Sequence, residues 1–345
     1  MKIALLTSII DETNQESYDN SNVGDCFIGH GLQYIIEEAL KPTPIEWVLI
    51  SRWEPFTREQ MEIMRTCDFI IYGGMPQYNN FEEWRFFYDN EIWDYLNYTG
   101  VPILRLAGGG GYPSESITPD EFAAHLNKSL LNEIILDKAC NNTKLITTRD
   151  KMAQRYLETN NVNSTLLPCT GTFACLKHGI FNTDKQYNAI NITADYIKNR
   201  EDKEELITEI KETKQFIENY TGKPCKFFAQ VNISDYEFTN NTFGECVRFN
   251  NSKEMIEFYS HVDICISTRL HTALPIHGIG GRTVLIRVDT RGIAAEELGI
   301  PVIPLSNFKS SSIIEIVKNN RFSNKNIPDT INESVMFYRN FFRNN

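Results

Sequence analysis

The segment Ser267–Thr268–Arg269–Leu270–His271 gathers two hydroxyls, a permanent cation and an imidazole in one short stretch. An arginine fork binds carboxylate or phosphate through paired hydrogen bonds. A histidine gives or takes a proton near neutral pH. The apolar run Ile264–Cys265–Ile266 before them reads as a buried strand, and Ala273, Leu274 and Ile276 after them read as a helix. Where a strand end meets a helix start, unpaired backbone N–H groups attract anions. The pattern predicts an anion site with Arg269 as the grip, Thr268 lining it and His271 as proton carrier. A structural ion pair at Arg269 and a helix cap at His271 fit the same spacing.

Other segments end strands in the same way. Arg287–Val288–Asp289–Thr290–Arg291–Gly292 follows the next strand and offers Arg291 as a second cation. Thr147–Thr148–Arg149–Asp150 offers Arg149, with Asp150 as a helix cap. Asn22–Val23–Gly24–Asp25 opens the first helix, where Asn22 or Asp25 could cap it, or Gly24 could admit a substrate while Asp25 holds a hydroxyl. Gly73–Gly74 and Gly108–Gly111 follow strands; Gly74, Gly109 and Gly110 are read as loop backbone lying against ligand. The second cluster fails the G-x-G-x-x-G spacing of a dinucleotide fingerprint, because the sixth position is Ser114 and Pro113 interrupts. The aromatic stretch from Phe81 to Tyr98, with Trp84, Phe86, Phe87, Trp93 and Tyr95, suits packing, a sugar ring or a lipid surface.

The elements that must position these groups alternate. Strands are predicted at Lys2–Ile9, Glu46–Ile50, Phe69–Tyr72, Pro102–Ala107 and Lys144–Thr147, with helices at Asp25–Ala39, Thr57–Arg65, Pro119–Asn141 and Asp150–Thr159. The alternation restarts after residue 180. Strands are predicted there at Tyr187–Ile192, Lys226–Gln230, Ile264–Ser267, Thr283–Arg287 and Val302–Pro304. The intervening helices are Lys203–Tyr220, Ser252–Ser260, Thr272–Ile279 and Ile293–Leu298. Alternation of this kind means βαβ units and parallel sheets. The fold class is α/β, with two Rossmann-like domains facing a cleft. They are assigned to residues 1–178 (acceptor side) and 179–328 (donor side), and residues 329–345 form a helix crossing back onto the first domain.

Composition narrows the partners. The net charge of −11 argues against nucleic acid, which needs a basic surface, yet leaves room for a small cationic pocket. No apolar run reaches the roughly 20 residues of a membrane span, and Met1–Ile10 lacks the features of a secretory signal. A cytoplasmic location is expected. The eight cysteines include no C-x-x-C pair, so free thiols are expected, with no disulfide framework and no structural zinc.

Taken in order, these residues resemble the polysaccharide pyruvyl transferase family. The similar features are Asn22–x–Gly24–Asp25, Gly73–Gly74, the Gly108–Gly111 stretch and Arg149–Asp150. The most distinctive is Ser267–x–Arg269–Leu270–His271, followed by Gly281–x–Thr283–Val284 and Glu296–Glu297–Leu298–Gly299–Ile300. The resemblance runs from about residue 20 to 305 and implies two Rossmann-like domains in a GT-B-like arrangement. It also implies transfer of the enolpyruvyl unit of phosphoenolpyruvate to sugar hydroxyls as a ketal, with release of phosphate. Two departures stand out. Cys169, in Leu167–Pro168–Cys169–Thr170, stands where an acid often follows the proline, and Thr290–Arg291 stands where a lysine is usual.

On that resemblance Arg269 and Arg291 would hold the donor, with Arg149 reaching from the other domain. His271 would be the acid, with neighbouring anions favouring its charged form, and Asp25 a base or hydroxyl partner. No metal and no cofactor beyond the donor substrate are expected. The acceptor would be a sugar, free, nucleotide-linked or lipid-linked. The aromatic C-terminus, Phe337–Tyr338–Arg339 and Phe341–Phe342–Arg343, suits packing on the first domain or a peripheral membrane contact. A homo-oligomer is compatible with the sequence. The alternatives are a GT-B-type glycosyltransferase using a nucleotide sugar and an inactive glycan-binding module.

Overall fold

The structure is a computed structural model. It describes residues 1–7, 23–52, 56–73, 76–79, 83–181, 184–230, 233–249, 251–323 and 326–345, without the side chains of 76 and 83–90. Asn22 and Gly74 therefore lie outside the described residues, as do the side chains of Phe81, Trp84, Phe86 and Phe87.

Two wholly parallel sheets carry the fold. The first holds β1 (Lys2–Thr7), β2 (Glu46–Ser51), β3 (Phe69–Gly73), β5 (Ile103–Gly111), β6 (Thr143–Thr148) and β7 (Thr165–Leu166) in the order β2-β1-β3-β5-β6-β7, with β4 (Pro76–Asn79) pairing the far end of β5. The second orders β12 (Val302–Pro304), β11 (Arg282–Arg287), β10 (Val262–Ser267), β8 (Tyr187–Asn191) and β9 (Cys225–Phe228) in that sequence. From β1 the chain runs to β2 on one side and then to β3 on the other. From β8 it runs to β9 and then to β10. Such reversals open a crevice at the carboxyl ends of the strands, where ligands of open α/β sheets bind. Ser267 ends β10 at this position.

The helices follow from periodicity and caps. α1 (Val23–Leu40) buries Phe27, Ile28, Leu32, Ile35 and Ile36, the face expected from the sequence. α2 (Arg58–Arg65) starts on a Thr57–Gln60 capping box. α3 (Glu83–Thr99) buries Trp93 against Tyr72 and Arg105, so this part of the aromatic stretch is packing. The single helix expected over Pro119–Asn141 is two, α4 (Pro119–Leu126) and α5 (Leu130–Cys140). The Ser129 side chain accepts from Asn132 N–H and caps a new start. α6 (Lys151–Thr159) is capped by Asp150, as expected.

A 3₁₀ turn, Thr170–Phe173, and the short α7 (Ala174–Lys177) follow β7. The second sheet is flanked by α8 (Lys203–Thr221), α9 (Ile233–Phe243), α10 (Ser252–Ser260), α11 (Leu270–Gly278), α12 (Ile293–Glu296) and α13 (Ser310–Lys318). The sequence reading did not include α9. The last helix, α14 (Ile327–Asn344), crosses back onto the first domain. There the Tyr338 hydroxyl lies 3.1 Å from Thr147 Oγ1, Arg339 donates to the carbonyls of Glu38 and Ala39, and Phe341 and Phe342 pack on Phe69. This packing takes up the aromatic C-terminus. No helix among the described residues is long and apolar enough to cross a membrane.

One apolar cluster joins the domains. Phe27, Ile28 and Leu32 of α1 share it with Phe173, Cys175, Leu270, Leu274 and Ile276. At its centre the turn Thr170–Phe173 threads between α1 and α11. A methyl group on Gly31 would sit 1.7 Å from the Thr170 carbonyl oxygen, and one on Gly278 equally close to that of Thr172. Glycine at these two positions lets the helices clamp the turn.

The cluster Gly108–Gly111, expected as a loop, is the end of strand β5, paired with β4 on one side and, at Gly108, with β6 on the other. A methyl on Gly109 would come 2.3 Å from Arg149 Nε, and one on Gly110 would come 2.8 Å from Met152 Cβ. Gly109 thus lies against Arg149 and Gly110 against α6, and the stretch is strand where a loop was expected.

Candidate active site

Strand β10 delivers Ser267 to the crevice, and the first turn of α11 turns back from it. The Ser267 hydroxyl accepts from Arg269 N–H at 2.9 Å, and the Thr268 hydroxyl accepts from Thr193 N–H at 2.8 Å. The Gln230 amide donates to the His271 carbonyl at 3.1 Å and to Thr272 Oγ1 at 2.8 Å. These bonds fix Thr268–Thr272 from the ends of β8, β9 and β10. His271 itself leaves helical geometry, at φ −83° and ψ 21°.

Thr193, Tyr196, Gln230, Thr268, Arg269, His271, Asp289 and Arg291 are among the residues lining a cavity of about 300 Å³. Arg269 pairs with Asp235 of α9 at 2.5 Å. Arg291 Nε donates to Asp289 at 2.8 Å, and the Tyr196 hydroxyl lies 3.3 Å from the same carboxylate. Burial works against the Arg291 charge, but the Asp289 carboxylate outweighs it and holds the guanidinium more firmly protonated than usual. Asp25, buried in the first turn of α1, adds to the field that holds Arg291 protonated.

Arg149 reaches His271 from the first domain. Its Nη1 lies 3.4 Å from His271 Nε2, across 122 positions of sequence. The Arg149 side chain is wholly buried, and Nε and Nη2 have no hydrogen-bond partner. Its closest carboxylate, Asp150, is 4.0 Å away and already accepts from Gly110 N–H and Ala153 N–H. Burial pushes the Asp150 carboxyl up to about 6, against the pull of Arg149 and the two N–H groups. Cys169, wholly buried, places Sγ 3.7 Å from His271 Nε2.

His271 is therefore ringed by cations. Burial first, then Arg149, Arg291 and Arg269, hold its pKa well below the usual imidazole range. Where neighbouring anions were expected to favour its charged form, the carboxylates nearby are turned to the arginines, and those three cations oppose it. An arriving anion would reverse this balance.

Arg269, Arg291, Thr268 and His271 thus line one cavity, Arg149 backs His271, Gly109 lies against Arg149, and Gly110 holds Asp150 through its N–H. Gly24 is buried in the first turn of α1 with Asp25. Sequence reasoning missed Asp235, Thr193, Tyr196 and Gln230. Thr193 and Tyr196 follow the end of β8 just as Ser267 ends β10, so the strand-end rule would have found them. Asp235 carries no local signal. Among the described residues no group of three His, Cys, Asp or Glu side chains is arranged to hold a metal ion.

Residues 22–274 match the family model described as polysaccharide pyruvyl transferase. Among solved structures, the chain is similar to UDP-GlcNAc 2-epimerase from Methanocaldococcus jannaschii, at 11% identity and a TM-score of 0.58, covering 100% of both chains. It is also similar to UDP-GlcNAc 2-epimerase from Neisseria meningitidis bound to UDP-GlcNAc, at 10% identity and a TM-score of 0.57, again covering 100% of both chains. E. coli heptosyltransferase WaaC with ADP is 10% identical at a TM-score of 0.50, covering 93% of this chain and 100% of that one. These likenesses show a shared GT-B-type fold of two parallel-sheet domains. None of the curated proteins matches the chain.

Proposed function

The chain belongs to the polysaccharide pyruvyl transferase family, and from that premise we propose that it moves the enolpyruvyl group of phosphoenolpyruvate onto two hydroxyls of a sugar. The observation that carries this reading is the convergence of Arg149, Arg269 and Arg291 on His271. Phosphoenolpyruvate brings a carboxylate and a phosphate to three cations. Arg269 and Arg291 hold the donor, their forks kept in place by Asp235 and Asp289. Thr268 lines the same wall.

Ketal formation starts with a proton delivered to the donor methylene, which leaves a cationic carbon at C2. One sugar hydroxyl attacks C2, phosphate departs with its bonding electrons, and the second hydroxyl closes the ketal. Both hydroxyl protons are released, and one replaces the proton spent on the methylene. His271 supplies that proton. It is neutral at rest, and the donor's charge raises its proton affinity inside the cavity. The arginines stabilise charge moving onto phosphate without reorganising. Asp25, across the cleft, accepts a hydroxyl proton from the acceptor. The sugar, free or lipid-linked, lies on the first-domain side, with Gly24 beside Asp25.

The test is to incubate the protein with phosphoenolpyruvate and a panel of sugars, following phosphate release and acceptor mass. The expected result is phosphate release that depends on both substrates. A thermal shift with nucleotide sugars and none with phosphoenolpyruvate would overturn the proposal in favour of glycosyl transfer. Glycan binding without any phosphate release would leave a binding module.

A further inference from the structure

His271 Nε2 has two neighbours of unequal chemistry. Arg149 only ever donates, so its contact at 3.4 Å requires the Nε2 lone pair and puts the ring proton on Nδ1. Cys169 Sγ, at 3.7 Å from the same nitrogen, can act as donor or acceptor. A second proton on the ring would sit on Nε2 and point at a donor it cannot use. Cys169 is then the acceptor within reach.

We infer that Cys169 is a positioning residue, the acceptor that takes the His271 Nε2–H when the imidazole becomes imidazolium, while Arg149 turns to the bound anion. The inference deepens the reading of His271 as the acid and rests on it for the catalytic consequence. Three features carry it. Cys169 is wholly buried, so its thiol meets the ring and not solvent. A methyl on Gly171 would lie 3.2 Å from His271 Cδ2 and 3.7 Å from Cys169 Sγ, so a glycine here lets ring and thiol share one space. Arg149 has two nitrogens without partners, and its contacts on this side are with neutral groups, Nη1 on His271 and a hydrogen bond to the Cys169 sulfur, so an anion within reach gives it a better partner.

The groups around the ring agree with this division of work. From the first domain come Arg149 and, behind it, Asp150; from the connecting segment comes Cys169; from the second domain come Arg269 and Arg291 with their carboxylates Asp235 and Asp289. The three arginines oppose protonation of the ring, and the carboxylates are engaged elsewhere. Burial also raises the Cys169 thiol, so it stays neutral and serves as an acceptor without adding a charge of its own. No covalent step at sulfur is involved. One proton enters at the ring and one leaves to the donor methylene.

The test uses the full chain with ¹⁵N-labelled histidine, titrated by NMR with and without inorganic phosphate. The wild type should show the Nδ1–H tautomer when free and a doubly protonated His271 ring with phosphate bound. In Cys169→Ala, the His271 pKa with phosphate should fall by roughly one unit or more, the cost of a lost hydrogen bond to a charged group. Cys169→Ser, which restores an acceptor, should return most of the shift. The basic limb of the kcat profile with phosphoenolpyruvate should move to lower pH in Cys169→Ala, since kcat reports the bound enzyme.

An Nε2–H tautomer in the free wild type, or the same His271 titration in wild type and Cys169→Ala, would overturn the inference. The wild-type tautomer decides the matter even where the alanine variant folds poorly. The NMR arm needs phosphate and no turnover. Its outcome therefore stands apart from whether phosphoenolpyruvate is the donor.

Discussion

His271 and Asp150 sit on either side of Arg149 and are shifted in opposite senses. His271 is held well below its usual range by burial and three cations, while burial lifts Asp150 to about 6. The two have opposite effects on stability. In acid, an unfolded chain takes a proton on the imidazole that the native ring refuses, so this group destabilises the fold as pH falls below about 6.5. The native chain takes a proton on Asp150 that an unfolded carboxyl has released, so this group stabilises the fold as pH falls from about 6 toward about 4. In that window the two effects oppose one another. His271→Asn should therefore gain stability relative to wild type on acidification, and Asp150→Asn should lose it, each with a limiting slope of roughly 1 kcal/mol per pH unit. Denaturant midpoints measured across that window read both slopes, and variants that track wild type would refute the opposed shifts. The sequence named His271, Arg269, Arg291 and Arg149 because strand ends announce themselves locally. It did not name Asp235, whose pairing with Arg269 spans 34 positions that no local pattern records. For the same reason the Gly108–Gly111 stretch was misread as a loop, although it ends strand β5. Gly109→Ala should push the boxed-in Arg149 off His271. It should weaken phosphoenolpyruvate binding tenfold or more, while costing roughly 1–3 kcal/mol of stability as an overpacked site does. Isothermal titration beside denaturation separates the two effects.

Most elements were legible because their signals are periodic or chemical. The buried face of α1, the capping box of α2 and the Asp150 cap of α6 are all written in adjacent residues. The split between α4 and α5 was missed because apolar periodicity runs on past the break, and the Ser129 cap outweighs it. The extension of β5 through four glycines was missed because glycine is unfavourable in strands, and pairing with β4 and β6 overrides that preference. The clamp on Thr170–Phe173 could not be read at all, since its parts lie on α1, α11 and the turn between the sheets. It yields a sharp expectation. Gly31→Ala and Gly278→Ala each place a methyl 1.7 Å from a backbone oxygen, where no side chain can yield. Each should cost roughly 3 kcal/mol or more, the upper range for overpacking. Because the turn carries Gly171 beside His271, activity should drop even at temperatures where the variants remain folded. A denaturant midpoint unchanged in either variant would show that the helices can move apart freely.

At the scale of the molecule, two parallel sheets facing a cleft follow from the alternation of strands and helices. How far the cleft is closed does not, because closure is set by contacts between distant loops. The end of β5 meets the loop after β11 through a reciprocal pair: Tyr112 N–H donates to Thr290 Oγ1 at 2.9 Å, and Thr290 N–H donates to the Tyr112 carbonyl at 3.1 Å. Glu115 accepts from Ser306 N–H at 3.1 Å, and Lys151 pairs with Glu297 at 2.9 Å. The lysine pair is largely exposed on one side, and such pairs contribute little. The Tyr112–Thr290 pair is different, because Thr290 is buried and immediately precedes Arg291. A bond that joins the domains therefore also positions Arg291, which lines the cavity. Thr290→Val keeps the shape and removes only the hydroxyl, leaving the Tyr112 N–H without its acceptor. A lost hydrogen bond of this kind is worth about 1 kcal/mol, or roughly a fivefold change in an equilibrium. If closure is what assembles Arg149, Arg269 and Arg291 around His271, that change appears as weaker phosphoenolpyruvate binding and a larger radius of gyration by X-ray scattering. Saturating donor should restore the compact form, since a ligand that prefers the closed state draws the population toward it. Weaker binding with an unchanged radius would place the effect in Arg291 alone, and the latch would then be a feature of the loop and not of the cleft.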